Sequence, residues 1–269
     1  MIAKLGRIAL IGGGKMGEAI VSGLVSSAVF DLDMIHVAEP FEERREYLAK
    51  TYGVACYASG TQIAHPTTVI LAVKPQVLSD TCKELTINPG FDPERVISIA
   101  AGITTATLRS LFGEAAVIRV MPNAPLMVGA GMSAVCVADD TPRAEGELVR
   151  DLFSLMGEAM LIDESQINAV TAISGSGPAY FALFVEELAK AGQAIGLDAD
   201  EAMLLSVQTL RGTARYLELT EASAEELRIA VTSPKGTTEA ALDEFAAQGL
   251  SAVVMAAVQA ALKRAEELA

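Results

Sequence analysis

The chain has 269 residues, of which 51% are hydrophobic, and a formal net charge of −14. This length allows one large domain or two modest ones, while the acidic balance argues against nucleic acid and anionic membranes as partners. The longest apolar stretches fall far short of the roughly 20 residues of a membrane span, and we recognise no signal peptide.

Cysteine and histidine usage argues against a disulfide scaffold and a metal centre. The chain holds three cysteines, distant from one another, and two histidines. No Cys-x-x-Cys pair occurs, so we expect reduced thiols and a cytoplasmic protein. Because His36 and His65 have no cluster of further ligands near them in the sequence, we predict no metal site.

The first predicted strand, residues 8–11, runs into a glycine-rich turn and then a predicted helix over 18–27. Gly-x-Gly-x-x-Gly at a strand-to-helix turn is typical of dinucleotide binding. Gly12 permits the sharp turn, Gly14 lets a pyrophosphate approach the backbone, and Gly17 lets the helix pack closely. A glycine turn without a ligand is the alternative. The residues assigned to the cofactor here are Gly12, Gly14, Lys15, Met16 and Gly17.

Apolar runs then alternate with amphipathic stretches, which predicts right-handed βαβ units and a parallel sheet. After about residue 163 the strand signals stop and helical periodicity continues to the end. We therefore predict an α/β fold: an N-terminal Rossmann-like doubly wound sheet over residues 1–162 and an all-α C-terminal domain over 163–269. The predicted strands are 8–11, 34–38, 69–73, 96–100, 117–121, 132–137 and 158–162, and the predicted helices are 18–27, 41–52, 76–85, 105–112, 142–156, 180–195, 199–219 and 250–265.

The second predicted strand ends at Glu39, 22 residues after Gly17. An acidic residue at this distance accepts the ribose 2′-OH of NAD and repels the 2′-phosphate of NADP, by roughly 1 to 4 kcal/mol at about 4 Å. Arg44 and Arg45 follow and offset part of this charge. Since Pro40 favours a helix start, Glu39 as a helix cap only is an open alternative. We predict NADH or NADPH as the cofactor, with NADH used at least as well as NADPH.

The ends of the following strands form a second candidate cofactor surface. In a doubly wound sheet the end of the third predicted strand lies beside the glycine turn, in the crevice where ligands bind. Lys74 is therefore a candidate neighbour of phosphate or substrate, although a solvated lysine at a helix start fits equally well. Small residues at the next two strand ends leave room for a nicotinamide. The residues assigned to the cofactor here are Ala72, Val73, Lys74, Pro75, Ala100 and Asn123.

The long helices of the second half are apolar around much of their circumference, as residues 253–262 illustrate. Helices of this kind must be buried, and the second half alone offers little interior. We therefore predict that these helices pack against a second copy of the chain, which makes the second domain a dimerisation domain. Burial against the chain's own nucleotide domain is the alternative.

Two predicted helix starts in the second half are rich in hydroxyl groups and glycine. They are Ser174-Gly175-Ser176-Gly177-Pro178 and Ser233-Pro234-Lys235-Gly236-Thr237-Thr238. We expect free N–H donors at both, and such donors suit a small carboxylate. An ordinary capped helix start explains either one alone, but the two together favour a ligand.

Six segments of the chain resemble pyrroline-5-carboxylate reductases, in that family's order and from end to end of the sequence. The glycine turn is shared by many enzymes, whereas the last two segments are much more specific. The segments are Gly-Gly-Gly-Lys-Met-Gly (12–17), Leu-Ala-Val-Lys-Pro-Gln (71–76), Ser-Ile-Ala-Ala-Gly (98–102), Arg-Val-Met-Pro-Asn (119–123), Ser-Gly-Ser-Gly-Pro-Ala-Tyr (174–180) and Ser-Pro-Lys-Gly-Thr-Thr (233–238).

The resemblance implies reduction of L-Δ1-pyrroline-5-carboxylate, a cyclic imino acid, to L-proline with NAD(P)H, the last step of proline biosynthesis. It also implies an interlocked homodimer, which this family often assembles into rings such as decamers. By the same resemblance Ser233, Gly236, Thr237 and Thr238 hold the substrate, and Thr171, Ser174 and Ser176 line its pocket. Thr238 lies near the ring nitrogen, and Thr238 and Ser233 are the candidate catalytic residues. A protonated imine is already electrophilic, so positioning supplies most of the catalysis.

The sequence departs from the family pattern at Lys235, where glycine is usual, and at Lys15, where asparagine is common. A β-hydroxyacid dehydrogenase built on the same plan is one rival, but it needs a lysine followed by asparagine one helical turn later. Here Ala194 stands four residues after Lys190. A non-catalytic NAD-binding protein is the other rival, and it predicts cofactor binding without turnover.

Overall fold

The computed structural model describes residues 2–268, and within them eight strands form one sheet in the order β3-β2-β1-β4-β5-β6-β7-β8. Strands β1 to β6 are mutually parallel, whereas β7 is antiparallel to β6 and parallel to β8. The strands are β1 (Ile8–Ile11), β2 (Ile35–Ala38), β3 (Ala55–Tyr57), β4 (Thr68–Leu71), β5 (Arg95–Ser98), β6 (Ala116–Pro122), β7 (Gly131–Val137) and β8 (Gly157–Leu161).

The helices alternate with the strands as far as β8 and then follow one another to the end of the described chain. A π-helical segment, Thr171–Gly175, joins the sixth helix to the seventh. The helices are α1 (Lys15–Ser26), α2 (Glu42–Tyr52), α3 (Pro75–Ile87), α4 (Thr105–Phe112), α5 (Arg143–Phe153), α6 (Ile167–Val170), α7 (Gly177–Ala194), α8 (Ala199–Leu219), α9 (Ala224–Ala230), α10 (Thr237–Ala247) and α11 (Leu250–Leu268).

The predicted doubly wound sheet is confirmed, and its strand order reverses between the neighbours β1 and β4. Ligands of open α/β sheets bind outside the carboxyl ends of the strands at such a reversal. Backbone hydrogen bonds continue just past the strand ends here: the Gly12 N–H donates to the Ala38 carbonyl at 2.8 Å, and the Ala72 N–H donates to the Ile11 carbonyl at 2.8 Å. The glycine turn and the segment after β4 therefore lie side by side at this edge.

Strand β7 reverses direction because only residues 123–130 connect it to β6. A parallel crossover needs a dozen residues or more, and usually a helix, whereas a short loop suffices for an antiparallel neighbour. The reversal leads the chain through α5 to β8, which extends the sheet at this end.

Both faces of the sheet are covered by helices, which explains the sequence signal of its strands. All residues of β1, β4 and β5 are buried. Leu24 of α1 and Leu152 of α5 pack on one face, and Leu78 of α3 and Leu108 of α4 pack on the other. Strands buried on both faces appear as continuous apolar runs rather than alternating ones, and these runs are what predicted the strands.

Two features of the fold were not predicted from the sequence. The edge strand β3 has three residues, all half-buried, and such a short run carries almost no periodicity. The π-helical segment Thr171–Gly175 includes Ser174 and Gly175, where we expected a free helix start, and the Ser176 N–H donates to the Thr171 carbonyl at 2.9 Å. The expectation of a free donor at Ser176 is therefore wrong, because the chain arrives there already helical from α6.

Contacts divide the chain into two compact units: residues up to Ser176 together with those from Ala261 onward, and residues 177–260. The predicted division at 162/163 stays a prediction. In the second unit α7 packs against α8 through small residues. A Cβ on Gly192 would lie 3.1 Å from the Cβ of Ala202, and Ala189 and Ser206 are buried.

Helices α7, α8 and α11 leave large apolar side chains exposed in the single chain. Phe181 is 60% exposed, Leu204 is 69% exposed and Val253 is 62% exposed. These are the helices that the sequence predicted to pack against a second copy. Further apolar side chains exposed on them include Leu183, Phe184, Leu188, Met203, Leu205, Val207, Val254 and Met255.

Within residues 2–268, no single helix combines the length and the apolar composition that a membrane span requires. The helices α10 and α11 reach both only when taken together, and they are bent by 55° relative to each other.

Candidate cofactor and substrate sites

Two glycines of the turn after β1 are required by the fold itself. Gly12 has a φ of 107°, and a Cβ there would lie 2.9 Å from backbone atoms of Ala72 and Val73. A Cβ on Gly17 would lie 2.0 Å from the Gly12 carbonyl oxygen. Side chains at these positions would break the turn or push α1 away from the sheet.

Gly14 is different, because the protein itself does not require a glycine there. Its φ of −65° and ψ of −171° suit any residue, and no atom lies within 4 Å of the place a Cβ would take. Gly14 is also the N-cap of α1 and provides no side-chain cap, so the first N–H groups of the helix are left for another acceptor. An open space in front of uncapped N–H groups fits a pyrophosphate.

Gly13, at a variable position of the motif, is also constrained by its surroundings, which no sequence pattern indicated. A Cβ there would lie 2.6 Å from Cδ1 of Leu48 and 3.2 Å from Cβ of Glu39. The Gly13 N–H donates to Oε2 of Glu39 at 2.9 Å. Close packing against α2 therefore brings the glycine turn into contact with the acidic residue at the end of β2.

Glu39 is 6% exposed. Its contacts are compatible with both roles that the sequence left open, ribose binding and helix capping. One oxygen accepts from the Gly13 N–H, and the other accepts from the Phe41 N–H at 3.1 Å, just before α2. The carboxylate is thus bound both to the glycine turn and to the N-cap residue of α2. Each oxygen keeps a second lone pair, which is what a ribose hydroxyl needs.

The segment after β4 completes the same edge of the sheet. Ala72 and Val73 lie against Gly12, as the distances above show. Lys74 is the N-cap of α3 and is exposed, and Pro75 is the first residue of that helix. Ala100 follows β5 and is buried. The predicted cofactor residues of this surface therefore share one edge with the glycine turn, although their contacts with a cofactor stay a prediction.

Asn123, predicted as a cofactor residue, is occupied by protein partners. Its amide nitrogen donates to the carbonyl and hydroxyl oxygens of Ser174 at 3.2 and 3.3 Å, and its amide oxygen accepts from the Met132 N–H at 2.8 Å. The side chain is 9% exposed. Asn123 therefore fixes the position of Ser174, while the Thr171 hydroxyl donates to the Ile167 carbonyl at 2.7 Å.

A second anchor for this segment, absent from the sequence predictions, is Glu164. Its carboxylate accepts from the N–H of Thr105 at 2.8 Å and from Arg119 at 3.1 Å, and the Thr105 hydroxyl also donates to it. Burial raises the pKa of this carboxyl, but the hydrogen bonds from Thr105 and Arg119 outweigh it and hold the pKa below its usual range. The ionised Glu164 thereby ties the start of α4 to the segment that carries Thr171 and Ser174.

The loop before α10 gathers the other predicted substrate residues. Gly236 is the N-cap of α10 and provides no side-chain cap, while its own N–H donates to the Ser233 carbonyl at 2.9 Å. Within residues 2–268 we find no hydrogen-bond partner for the hydroxyls of Ser233, Thr237 and Thr238. The loop therefore offers free hydroxyl groups next to the free N–H groups of a helix start.

Lys235 adopts a backbone conformation that glycine favours. Its φ is 61°, in the left-handed region. The Lys235 N–H donates to Oε2 of Glu239 at 2.6 Å, which stabilises this unusual conformation. Lysine at this position therefore fits the left-handed turn and adds an exposed positive charge to the loop.

Comparisons with protein families match both parts of the chain. Residues 164–268 match the family model described as pyrroline-5-carboxylate reductase dimerisation. Residues 7–102 match the model described as NADP oxidoreductase, coenzyme F420-dependent.

Individual relatives match the chain over nearly its whole length. Pyrroline-5-carboxylate reductase of Mycobacterium tuberculosis is 40% identical over 100% of this chain and 98% of its own length. The reductase of Pseudomonas aeruginosa is 39% identical over 98% and 97%. The solved structure of a Coxiella burnetii pyrroline-5-carboxylate reductase has a TM-score of 0.91, with 34% identity over 98% of this chain and 99% of that one. A Plasmodium falciparum pyrroline carboxylate reductase with NADP bound has a TM-score of 0.83 and 25% identity, and the match covers 98% of each chain.

Proposed function

The chain belongs to the pyrroline-5-carboxylate reductase family, and we propose on this basis that it reduces L-Δ1-pyrroline-5-carboxylate to L-proline with a reduced nicotinamide dinucleotide. The observation that carries the proposal is the match over the full length at 40% identity, which includes both the nucleotide-binding sheet and the helical half. The reaction makes it an oxidoreductase acting on a C=N bond, in the last step of proline biosynthesis.

The geometry of the glycine turn fits the cofactor that this reaction needs. The free N–H groups at the start of α1 and the open space at Gly14 suit the pyrophosphate. Lys15 is exposed next to Gly14 and adds a positive charge for phosphate, while Met16 packs on the core of the sheet. The bound dinucleotide supplies the hydride for the imine carbon.

The loop before α10 is where we place the substrate carboxylate and ring. A helix start with uncapped N–H groups attracts a carboxylate, and Ser233, Gly236 and Thr237 surround that start. The Thr238 hydroxyl has no partner among the described residues and is our candidate for orienting the ring nitrogen, which takes up a proton as the C=N bond becomes a C–N bond. Positioning of this kind supplies much of the catalysis for an imine that is already electrophilic.

Lys190, the residue that a β-hydroxyacid dehydrogenase would use, is placed for a different role. It is exposed on α7 and forms ion pairs with Glu186 and Glu187, both at 2.8 Å. Ala194 follows one turn later and offers no polar group. These contacts favour the imine reductase over the dehydrogenase.

Steady-state assays with NADH and with NADPH test both the reaction and the cofactor preference. We expect oxidation of the dinucleotide with pyrroline-5-carboxylate, and no comparable rate with a panel of 2- and 3-oxo acids. We also propose that NADH serves at least as well as NADPH, because the buried Glu39 carboxylate lies where a 2′-phosphate would approach. Cofactor binding without turnover would contradict the reaction, and a hundredfold preference for NADPH would contradict the proposed cofactor choice.

Self-association follows from the dimerisation domain, and we propose a homodimer joined through the exposed apolar faces of α7, α8 and α11. Contiguous apolar faces of this size are costly to leave in water. Sedimentation velocity at micromolar concentration is expected to give at least twice the chain mass of 28.1 kDa. Ten times that mass would indicate the decamer that the family resemblance suggests, whereas a monomer would contradict the proposal.

We propose further that the protein works in the reducing cytoplasm. Cys56, Cys82 and Cys136 are all free thiols, and burial raises the pKa of Cys82 and of Cys136 to about 12, so these two thiols are unreactive. Cell fractionation tests the location.

A further inference from the structure

Arg44 of α2 lies over the glycine turn, and its contacts bear on the choice between the two nicotinamide dinucleotides. Its Nε donates to the Gly13 carbonyl at 2.7 Å, and Nη2 approaches the Gly14 carbonyl at 3.5 Å. The Gly13 peptide thus has the Glu39 carboxylate on its N–H and the Arg44 guanidinium on its carbonyl. An arginine in this region of a dinucleotide-binding fold is the group that accommodates a 2′-phosphate.

The Arg44 guanidinium is already paired with Glu18, in the first turn of α1. Glu18 is held by two more donors, since the hydroxyls of Tyr47 and Tyr52 reach its other oxygen at 2.8 and 2.9 Å. Burial raises the pKa of Glu18, but these hydrogen bonds and the charge of Arg44 prevail and lower it, so the carboxylate is ionised at neutral pH. Arg44 also packs over the Tyr47 ring, 5.0 Å from its centroid.

Arg45, the neighbouring cation, has different partners. Its Nη1 donates to the carbonyls of Glu39 and Pro40 at 2.9 and 2.6 Å, and we find no carboxylate partner for it in the described part of the chain. Of these two arginines, only Arg44 is bound to both the glycine turn and an acidic side chain among the described residues. A 2′-phosphate would have to compete with Glu18 for Arg44.

We propose that Glu18 is a positioning residue that biases the enzyme towards NADH by keeping the Arg44 guanidinium on its own carboxylate. In the absence of the Glu18 charge, Arg44 is free to turn to a 2′-phosphate, and the preference moves towards NADPH. That the ligand is a nicotinamide dinucleotide rests on the proposed function. The difference in affinity between ligands with and without a 2′-phosphate can be measured without turnover.

The test measures dissociation constants of two probes, adenosine 2′,5′-bisphosphate and 5′-AMP, by calorimetry. The ratio of the two dissociation constants reports the contribution of the 2′-phosphate to binding, because the 5′-phosphate is common to both probes. Glu18→Gln is expected to shift this ratio about tenfold towards the bisphosphate, the scale of one partly screened charge pair. Arg44→Ala is expected to leave the ratio close to that of the unmodified protein, because Glu18 already occupies the guanidinium. Glu46→Gln, which removes the same charge from an exposed position on α2, is the matched control and is expected to leave the ratio unchanged.

The double variant Glu18→Gln with Arg44→Ala separates an effect through Arg44 from a direct effect of the Glu18 charge. If Glu18 acts through Arg44, the double variant has the ratio of Arg44→Ala alone. Independent, additive shifts would overturn the proposal, as would an unchanged ratio in Glu18→Gln. If Glu18→Gln does not fold, Glu18→Ala takes its place with the same expected shift, and an unchanged ratio in that variant overturns the proposal, as does a loss of discrimination that appears only in Arg45→Ala.

The same variants distinguish this proposal from the proposed function. Steady-state ratios of kcat/KM for NADPH and NADH should follow the probe ratios in every variant. If the probes show the expected shifts but no variant reduces pyrroline-5-carboxylate, the proposed reaction fails and the role of Glu18 stands. If turnover is normal with unchanged probe ratios, the role of Glu18 fails and the reaction stands.

Discussion

Thr238→Ala is expected to lower kcat/KM for pyrroline-5-carboxylate by on the order of 10²-fold, the usual scale for assistance to proton transfer. The Thr238 hydroxyl lies in the first turn of α10 and has no protein partner in the described chain, so its removal breaks no internal hydrogen bond. Alanine also suits a helix. We therefore expect an unchanged melting temperature and a loss confined to turnover, measured by initial rates at saturating cofactor.

Thr232→Ala is the matched control for Thr238→Ala. It removes the same groups six residues earlier, but the Thr232 hydroxyl donates to the Arg228 carbonyl of the preceding helix, α9, at 2.6 Å. We expect nearly normal kinetics for this control. Thr238→Ser retains a hydroxyl and is expected to recover most of the activity. Near-normal turnover in Thr238→Ala would remove Thr238 from the catalytic assignment.

Gly14→Val is expected to weaken cofactor binding by about 10- to 100-fold and to leave the fold intact. The backbone angles at Gly14 suit valine, and no described atom beyond the adjoining residues lies within 4 Å of the new Cβ. The side chain instead takes the space proposed for the pyrophosphate, and forcing extra methyl groups into a packed contact costs about 1–3 kcal/mol. Dinucleotide titration by fluorescence or calorimetry measures the loss, and a melting curve checks the fold.

Gly17→Ala provides the contrast within the same motif. Its new Cβ would lie 2.0 Å from the Gly12 carbonyl oxygen, so this variant is expected to lose stability as well as cofactor binding. If Gly14→Val bound the dinucleotide as the unmodified chain does, the pyrophosphate would not lie at the start of α1. If both variants melted early, Gly14 would be a structural glycine after all.

The strands and helices were largely predictable because their signals are local. Strand β1 and helix α8 have the predicted bounds, since a continuous apolar run or an uninterrupted helical period is contained in the segment itself. The three-residue strand β3 is too short to carry such a period, and it forms because β2 offers an unpaired edge. The π-helical turn at Thr171 depends on the helix before it, which the residue pattern at Ser174 does not reveal.

The candidate site was predictable to a different degree in its two parts. The residues of the glycine turn and of the loop before α10 are contiguous in sequence, so their types and spacing identified them. Asn123 was predicted at the correct edge of the sheet, but its partner Ser174 lies 51 residues away. Glu164 and its partner Thr105 were not connected by any pattern, because they lie 59 residues apart and three strands and the helix α5 separate them.

The sequence by itself determined the family, the reaction class and the positions of the glycine turn and the hydroxyl-rich loop, because short contiguous motifs identify each of them. Only the tertiary structure decided that Glu39 bonds to Gly13, that Gly14 has open space where Gly17 has none, and that Glu18 holds Arg44. The physical reason is that these contacts join residues far apart in the chain. Such residues meet only when the helices pack on the sheet, and that packing reflects the balance of many weak contacts rather than any local pattern.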